Sequence, residues 1–336
     1  MTDVRLVVGQ NGLGRFGLNL LWWWLSDTEA PYRIAYINDE SLTPKHMAAI
    51  IRNDSMVTGF RTWKVALTGH TLLLADPRGR VERIALSTGR MEQAPWLGIP
   101  TLFFECSGKR SASAELCRPL LTGDTRTIIV SATCYDADAT LVFGFNHENF
   151  DATVHKIVSY GSCTVNPGVT LSKFFHDSFG VKACTVNVIH NVQKHRLDAG
   201  EFHTLHRKFC TLENMAPRLL PFLTRDNFTV NYTVVPWEGV SVIDFAYRLE
   251  RPPSMDGLLK ALLTAVGRDG ILNGLIGTVA SDTGPEAHIG SPYSAVFVES
   301  ALKMLGDTAY LFGYFYNEGS SIRMHELASH ISRNIR

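Results

Sequence analysis

The chain has 336 residues, 45% of them hydrophobic and 19% charged, with 32 basic side chains balancing 32 acidic ones. That length suits two domains of ordinary size, and zero net charge argues against an electrostatic nucleic-acid binder. No apolar run approaches the roughly 18 residues of a membrane span, and MTDVRLVVGQ has no basic region before a long apolar one, so neither a membrane anchor nor a secretory leader is expected and the location is read as cytoplasmic.

Val4–Val8 is a valine-rich strand signal that runs into Gly9-Gln10-Asn11-Gly12-Leu13-Gly14-Arg15-Phe16-Gly17 and then into a helical pattern. Glycines there let the backbone turn tightly and approach a pyrophosphate, whose charge the following helix N-terminus favours. A second apolar run, Arg33–Ile37, ends in Asn38-Asp39-Glu40, with Asp39 placed 22 residues after Gly17. An acid at that distance suits the ribose hydroxyls of a dinucleotide, and the adjacent Glu40 repels a 2′-phosphate, so NAD is expected rather than NADP. The competing reading is a strand–turn–helix whose glycines serve only packing.

The first helix carries Trp22-Trp23-Trp24. Successive helical residues step by about 100°, so three adjacent indoles do not share one face. Two buried and one half-exposed are expected. Further strands are predicted at Thr71–Leu74, Thr101–Glu105, Thr127–Ser131 and Lys156–Ser159, separated by helical or loop stretches such as Thr43–Arg52 and Ala112–Leu121. Alternation of this kind indicates an α/β domain, a Rossmann-type doubly wound parallel sheet. Ligands lie beyond the carboxyl ends of such strands. The expected cofactor contacts are therefore Asn11, Gly12, Leu13, Gly14, Arg15, Phe16, Asp39, Arg90, Ser107, Gly108 and Ser131.

Six cysteines are spread through the chain without a C-x-x-C pair, which excludes a disulfide scaffold and gives no metal site. Cys163 stands out. Ser159–Gly168 leads from a strand into the helical run Val169–Phe175, with Thr164 and Asn166 as candidate caps and Pro167 in the first turn. A cysteine there sits at a helix N-terminus, which favours the thiolate, and a nearby imidazolium lowers its pKa from about 8.5. His190, ending the strand-like run Ala183–Ile189, is the candidate partner.

Taken in order, Asn11–Gly17, Asn38-Asp39, Asp54-Ser55, Gly144-Phe145-Asn146-His147-Glu148, Ser162-Cys163-Thr164-Val165-Asn166, His190, Val240–Asp244 and Tyr316-Asn317-Glu318 resemble the landmarks of the glyceraldehyde-3-phosphate dehydrogenase family over nearly the whole chain. The resemblance implies that Cys163 attacks an aldehyde, that His190 is the general base, and that Asn317 holds the nicotinamide carboxamide. It also implies that inorganic phosphate releases the acyl group from a thioester, and that the chains form a homotetramer, a dimer being the smaller alternative. The Ser-Cys-Thr-x-Asn context and Asn317 weigh against the semialdehyde dehydrogenases.

The family's substrate-phosphate ligands, a threonine shortly after the histidine and an arginine before a Val-Pro, correspond here to Gln193 and Val234. Its Ser-Thr-Gly phosphate stretch is expected after Pro217, where the chain reads Arg218-Leu219-Leu220-Pro221. Ser162 and Thr164 remain. Lys194, His195, Arg196, His203, His206, Arg207 and Lys208 outnumber Asp198 and Glu201 in the following segment. The substrate contacts are accordingly expected among Ser162, Thr164, Gln193, Arg196, Arg207 and Arg218, with Arg196 or Arg207 replacing the lost cation and Arg225 a weaker candidate. A solvated basic loop or a subunit contact is the competing reading.

The leading expectation is NAD-dependent, phosphorylating oxidation of glyceraldehyde 3-phosphate or another anionic aldehyde. The alternatives are transfer to water or another acceptor, and a non-catalytic NAD-binding protein. The domains expected are 1–162, with helix 320–336 returning to it, and an α+β catalytic domain with a mostly antiparallel sheet over 163–319.

Overall fold

A computed structural model describes residues 5–200 and 203–335. The chain divides into two compact units, one ending at Gly161 and resuming at Ser321, the other Ser162–Ser320.

In the first unit, β1 (Leu6–Asn11), α1 (Arg15–Ser26), β2 (Tyr32–Asp39) and α2 (Pro44–Asn53) are followed by β3 (Lys64–Thr68), β4 (Thr71–Ala75) and β5 (Val81–Thr88). Then come β6 (Leu102–Glu105), the short α3 (Ala114–Cys117), β7 (Thr127–Val130), β8 (Ala139–Thr140) and β9 (Ile157–Ser159). They form one sheet in the order β3-β4-β5-β2-β1-β6-β7-β9-β8. From β5 to β8 every pairing is parallel, while β3-β4-β5 is an antiparallel meander. All four residues of β6 and of β7 are buried, as strands covered by helices on both faces require.

β1 has β2 on one side and β6 on the other, so the strand order reverses there. The last helix of the chain, α8 (Ser321–Asn334), packs on α1 and buries Met324, Leu327, Ala328 and Ile331 in this unit's core. Trp24 alone of the three indoles is buried, donating from Nε1 to the Tyr32 carbonyl at 3.0 Å. Trp22 and Trp23 are both half-buried, one more than expected, because Trp22 lies along the helix flank with its ring edge-on to Phe60.

The second unit holds α4 (Val165–Phe179), β10 (Val181–His190), α5 (Lys194–Asp198), β11 (His206–Arg207), α6 (Thr211–Leu219) and β12 (Phe228–Val234). It continues with β13 (Ser241–Leu249), α7 (Met255–Val266), β14 (Ile276–Val279), β15 (Ala295–Val298), β16 (Lys303–Leu305) and β17 (Thr308–Phe315). Its sheet runs β11-β12-β10-β13-β17-β15-β14, with β16 beside β17. Among the described residues only β10–β12 and β14–β15 are parallel pairs in this sheet. The fold is thus α/β, with a parallel-rich sheet in one unit and a mixed, mainly antiparallel sheet in the other.

Candidate active site

In the first unit the glycine loop links the end of β1 to α1. Gly12 has φ +96°, and a Cβ added there would lie 2.7 Å from backbone atoms of Cys106 and Ser107. Gly17 is held closer still, because its Cβ would stand 2.2 Å from the Gly12 carbonyl. Both positions admit only hydrogen. Gln10 pins the turn, donating from Nε2 to the carbonyls of Gly12 (3.0 Å) and Gly17 (3.1 Å).

Gly14 differs. It is the N-cap of α1, offers no side-chain cap, and a Cβ there would meet nothing within 4 Å. A helix N-terminus with open space above it and no acidic residue in its first turn suits an anionic group.

Asp39 ends β2 on the adjoining strand. Its Oδ2 accepts from the Leu13 N–H (2.9 Å), and its Oδ1 from Ser41 (2.9 Å) and Leu42 (3.0 Å). The carboxylate is therefore fixed against the glycine loop. Ser107 and Ser131 follow β6 and β7 at the same carboxyl edge, and Gly108 turns there with φ +72°. Arg90 is exposed just after β5.

Three predicted contacts serve the scaffold through their side chains. Asn11 is buried and donates to Glu105 Oε2 (2.8 Å) while accepting from Asn38 (3.0 Å). Arg15 is ion-paired with Asp54. Phe16 stands edge-on to Tyr160, with centroids 5.3 Å apart. Glu40 is exposed and ion-paired with Lys109, whose ammonium holds the Glu40 carboxyl below its usual range. Lys109 carries no signal in the sequence, because its partner lies 69 residues away.

In the second unit α4 begins at Val165 with Thr164 as N-cap, so Cys163 directly precedes the cap. Neither Thr164 nor Asn166 caps the helix through its side chain. Ser162 Oγ accepts from the Val165 N–H instead (3.2 Å), and Asn166 Nδ2 donates to the Ser162 carbonyl (2.9 Å). Cys163 Sγ lies 3.6 Å from His190 Nε2 at the end of β10. His190 Nδ1 is 2.7 Å from the Asn191 carbonyl oxygen. A carbonyl only accepts, so Nδ1 carries the proton and neutral His190 presents an unprotonated Nε2 to the sulfur. Asn317 lies where its side chain favours the charged form of the imidazole.

The electrostatics differ from the thiolate expectation. Burial, with Cys210 and Glu318 nearby, pushes the Cys163 thiol well up, although the backbone N–H groups of Thr164 and Cys163 favour the anion. Burial likewise pushes the His190 imidazole down. Desolvation thus opposes charging either group, against the pull of the helix end on the thiolate.

Ser162 Oγ is 3.3 Å from Thr164 Oγ1 and 3.1 Å from Thr211 Oγ1, and Thr164 Oγ1 is 3.5 Å from Cys210 Sγ. Thr211 is the first residue of α6, so three hydroxyls meet where two helices begin. Cys210-Thr211 occupies the position beside Ser162, whereas Arg218 is exposed in the last turn of α6, about 10 Å farther along the helix axis. Thr211 was missed because its contact with Ser162 spans 49 residues and leaves no local signal.

Arg207 pairs with Thr233, on the face of β12 opposite Val234 and Tyr232. It is therefore turned away from His190, which neighbours Val234. Gln193 is half-buried and its carbonyl accepts from Arg196 (2.9 Å) at the start of α5. Arg196 is half-buried on α5, and Arg225 is exposed beyond α6. Glu201 and the side chains of Lys194 and His195 lie outside the described residues, as does Val4. No group of three or more metal-binding side chains occurs among the described residues.

No protein-family model matches the chain. Among curated proteins, it is 26% identical over 340 residues to glyceraldehyde-3-phosphate dehydrogenase 1 of Bacillus cereus, covering 97% of this chain and 98% of that protein. It is 25% identical over 347 residues to glyceraldehyde-3-phosphate dehydrogenase of Mycobacterium avium, covering 98% and 99% respectively. With glyceraldehyde-3-phosphate dehydrogenase 1 of Caenorhabditis elegans the identity is 26% over 340 residues, covering 97% and 98%. At about 25% identity, then, the chain is similar to glyceraldehyde-3-phosphate dehydrogenases over nearly its whole length.

Proposed function

We propose that the protein is an NAD-dependent aldehyde dehydrogenase that forms a thioester on Cys163 and passes the acyl group to inorganic phosphate. The observation that carries this reading is the 3.6 Å approach of Cys163 Sγ to the unprotonated Nε2 of His190. The uncapped helix end at Gly14 fits a pyrophosphate, and Asp39, fixed against the loop, fits a ribose diol. NAD, when bound, supplies the hydride acceptor.

In the proposed reaction the sulfur bonds to the aldehyde carbon as His190 Nε2 takes the thiol proton. The carbonyl oxygen receives that proton back and becomes the thiohemiacetal hydroxyl. The backbone N–H of Cys163, ahead of α4, is the proposed donor to the developing oxyanion. His190 then removes the hydroxyl proton as hydride leaves the carbon, which yields the thioester. Asn317, which favours the charged imidazole, steadies the imidazolium in both steps.

Phosphate, held by Ser162, Thr164 and Thr211 over two helix N-termini, attacks the thioester carbon. The C–S bond breaks, and the thiol is restored with the proton from His190. Cys163→Ser tests the reading: NADH formation from aldehyde should vanish while NAD still binds. Turnover at the same rate with and without phosphate would remove the phosphorolytic step. The chains are further proposed to assemble as a homo-oligomer in the cytoplasm.

A further inference from the structure

On the reading of His190 as the base that takes the Cys163 proton, we propose that Asn191 is a positioning residue for that base. Its buried side chain clamps the peptide carbonyl that receives the His190 Nδ1–H, and so holds the tautomer that offers Nε2 to the sulfur. The carbonyl is Asn191's own, 2.7 Å from Nδ1, and it shares a peptide plane with the Val192 N–H. In a trans peptide the N–H and C=O point opposite ways. The Val192 N–H donates to the Trp237 carbonyl at 2.8 Å, which turns the Asn191 carbonyl the other way, toward the imidazole.

Three further hydrogen bonds hold Asn191 in place. Its N–H donates to Ser241 Oγ (3.0 Å), and the Ser241 hydroxyl donates back to Asn191 Oδ1 (3.1 Å). Its Nδ2 donates to the Gly239 carbonyl (2.8 Å), and because a carbonyl only accepts, that partner fixes which way the amide faces. Ser241, at the start of β13, is buried as well. The loop from β12 to β13 is shaped for this grip: Gly239 adopts φ +133°, where a Cβ would stand 3.2 Å from the Trp237 indole nitrogen. Before Asn191, the His190 carbonyl receives the Val235 N–H at 2.9 Å. The rings of Tyr232 and Phe315 neighbour the imidazole, with centroids 5.5 and 5.6 Å from its own.

The clamp matters to the chemistry because a neutral imidazole has a single proton to place. With Nδ1 bonded to a fixed carbonyl, the proton stays there and Nε2 stays free to accept. When Nε2 takes the thiol proton, the ring becomes a cation whose Nδ1–H already points at an oxygen, so no dipole has to reorient. The same carbonyl favours the charged imidazole. A carbonyl free to turn would admit the Nε2–H tautomer, and a base in that form cannot take the proton. An Asn191 that merely tied β10 to the β12–β13 loop would support stability and leave the tautomer alone.

The test uses the full-length protein with isotope-labelled histidine, whose Nδ1 and Nε2 NMR shifts report the tautomer; the His190 signals are those lost in His190→Gln. Wild type should show the Nδ1–H tautomer alone. Asn191→Leu keeps the size of the side chain and removes its hydrogen bonds. It should show both tautomers and slow the NADH burst at least about tenfold, with the Kd for NAD unchanged. A single Nδ1–H tautomer in Asn191→Leu, or an Nε2–H tautomer in the wild type, would overturn the proposal. Where Asn191→Leu does not fold, Ser241→Ala takes its place, with the same expectation and the same refutation. If the tautomer responds as expected but no aldehyde reduces NAD in the wild type, the dehydrogenase reading fails and the clamp stands.

Discussion

Thr211→Val removes one hydroxyl from the proposed phosphate site and almost nothing else. Thr211 Oγ1 lies 3.1 Å from Ser162 Oγ, which in turn receives the Val165 N–H at 3.2 Å. Valine keeps the shape of threonine, so the first turn of α6 and its packing persist. A hydroxyl donating to a charged acceptor is worth roughly 1.5–3 kcal/mol, which converts to a rise in KM for phosphate of roughly 10- to 150-fold. The lost neutral hydrogen bond to Ser162 costs about 1 kcal/mol of stability, or roughly 2–4 °C in the Tm of the second unit, Ser162–Ser320.

The first half-reaction involves Cys163 and His190, and neither is hydrogen-bonded to Thr211 in the structure. Rapid mixing of enzyme, NAD and aldehyde without phosphate should therefore give the wild-type burst, one NADH per Cys163. Steady-state rates against phosphate concentration then report the second half-reaction. An unchanged phosphate KM would refute the assignment of the hydroxyl trio. Loss of the burst would show that Thr211 serves the acylation step instead.

The glycine loop separates folding from binding. Gly17→Ala places a methyl 2.2 Å from the Gly12 carbonyl and should cost roughly 2 kcal/mol or more, seen as a lower Tm and lost NAD binding. Gly14→Ala meets no atom within 4 Å; Tm should stay within a few degrees while calorimetry gives an NAD Kd at least tenfold weaker. Because burial lowers the His190 imidazole and raises the Cys163 thiol, the free base that takes the thiol proton is already present at neutral pH. kcat/KM should be level from about pH 6.5 upward and fall at lower pH as His190 gains a proton, and a roughly tenfold climb per pH unit above about 6.5 would show attack by a free thiolate without that base. In the first unit, buried Tyr32 is 2.6 Å from His325 Nδ1, and His325 Nε2 is 3.1 Å from Asp27. His325→Phe leaves the phenol without that partner and should cost about 1–3 kcal/mol in denaturant unfolding; an unchanged midpoint would show that the contact contributes nothing.

Local backbone chemistry was readable along the chain. A valine-rich run, glycines at Gly12, Gly14 and Gly17, and an acid ending the next strand act within a few residues or across one βαβ turn. The predicted strand runs beginning at Arg33, Thr71, Thr101 and Thr127 coincide with β2, β4, β6 and β7. β3 and β16 were not anticipated, because a five-residue strand with three exposed residues, and a three-residue strand with two, carry little hydrophobic pattern.

Side-chain roles were less legible than backbone ones. Asn11 and Arg15 sit inside the expected loop, yet their side chains turn to Glu105 and Asp54, far away in sequence. The basic segment after His190 read as a replacement anion site because composition does not say which way a residue faces. One pairing, Arg207 with Thr233, decides that for Arg207.

By itself, then, the sequence determined the glycine turn, the strand–helix alternation and the presence of a cysteine ahead of a helix, all of which depend on short-range torsional and periodic preferences. Tertiary structure decided what those residues meet. It brought Thr211 to Ser162 across 49 residues, set the proton of His190 through the Asn191 carbonyl, and laid Tyr232 and Val234 beside the imidazole. The physical reason is that charge state and specificity follow from desolvation and contact, which depend on the register of strands and the convergence of helix ends.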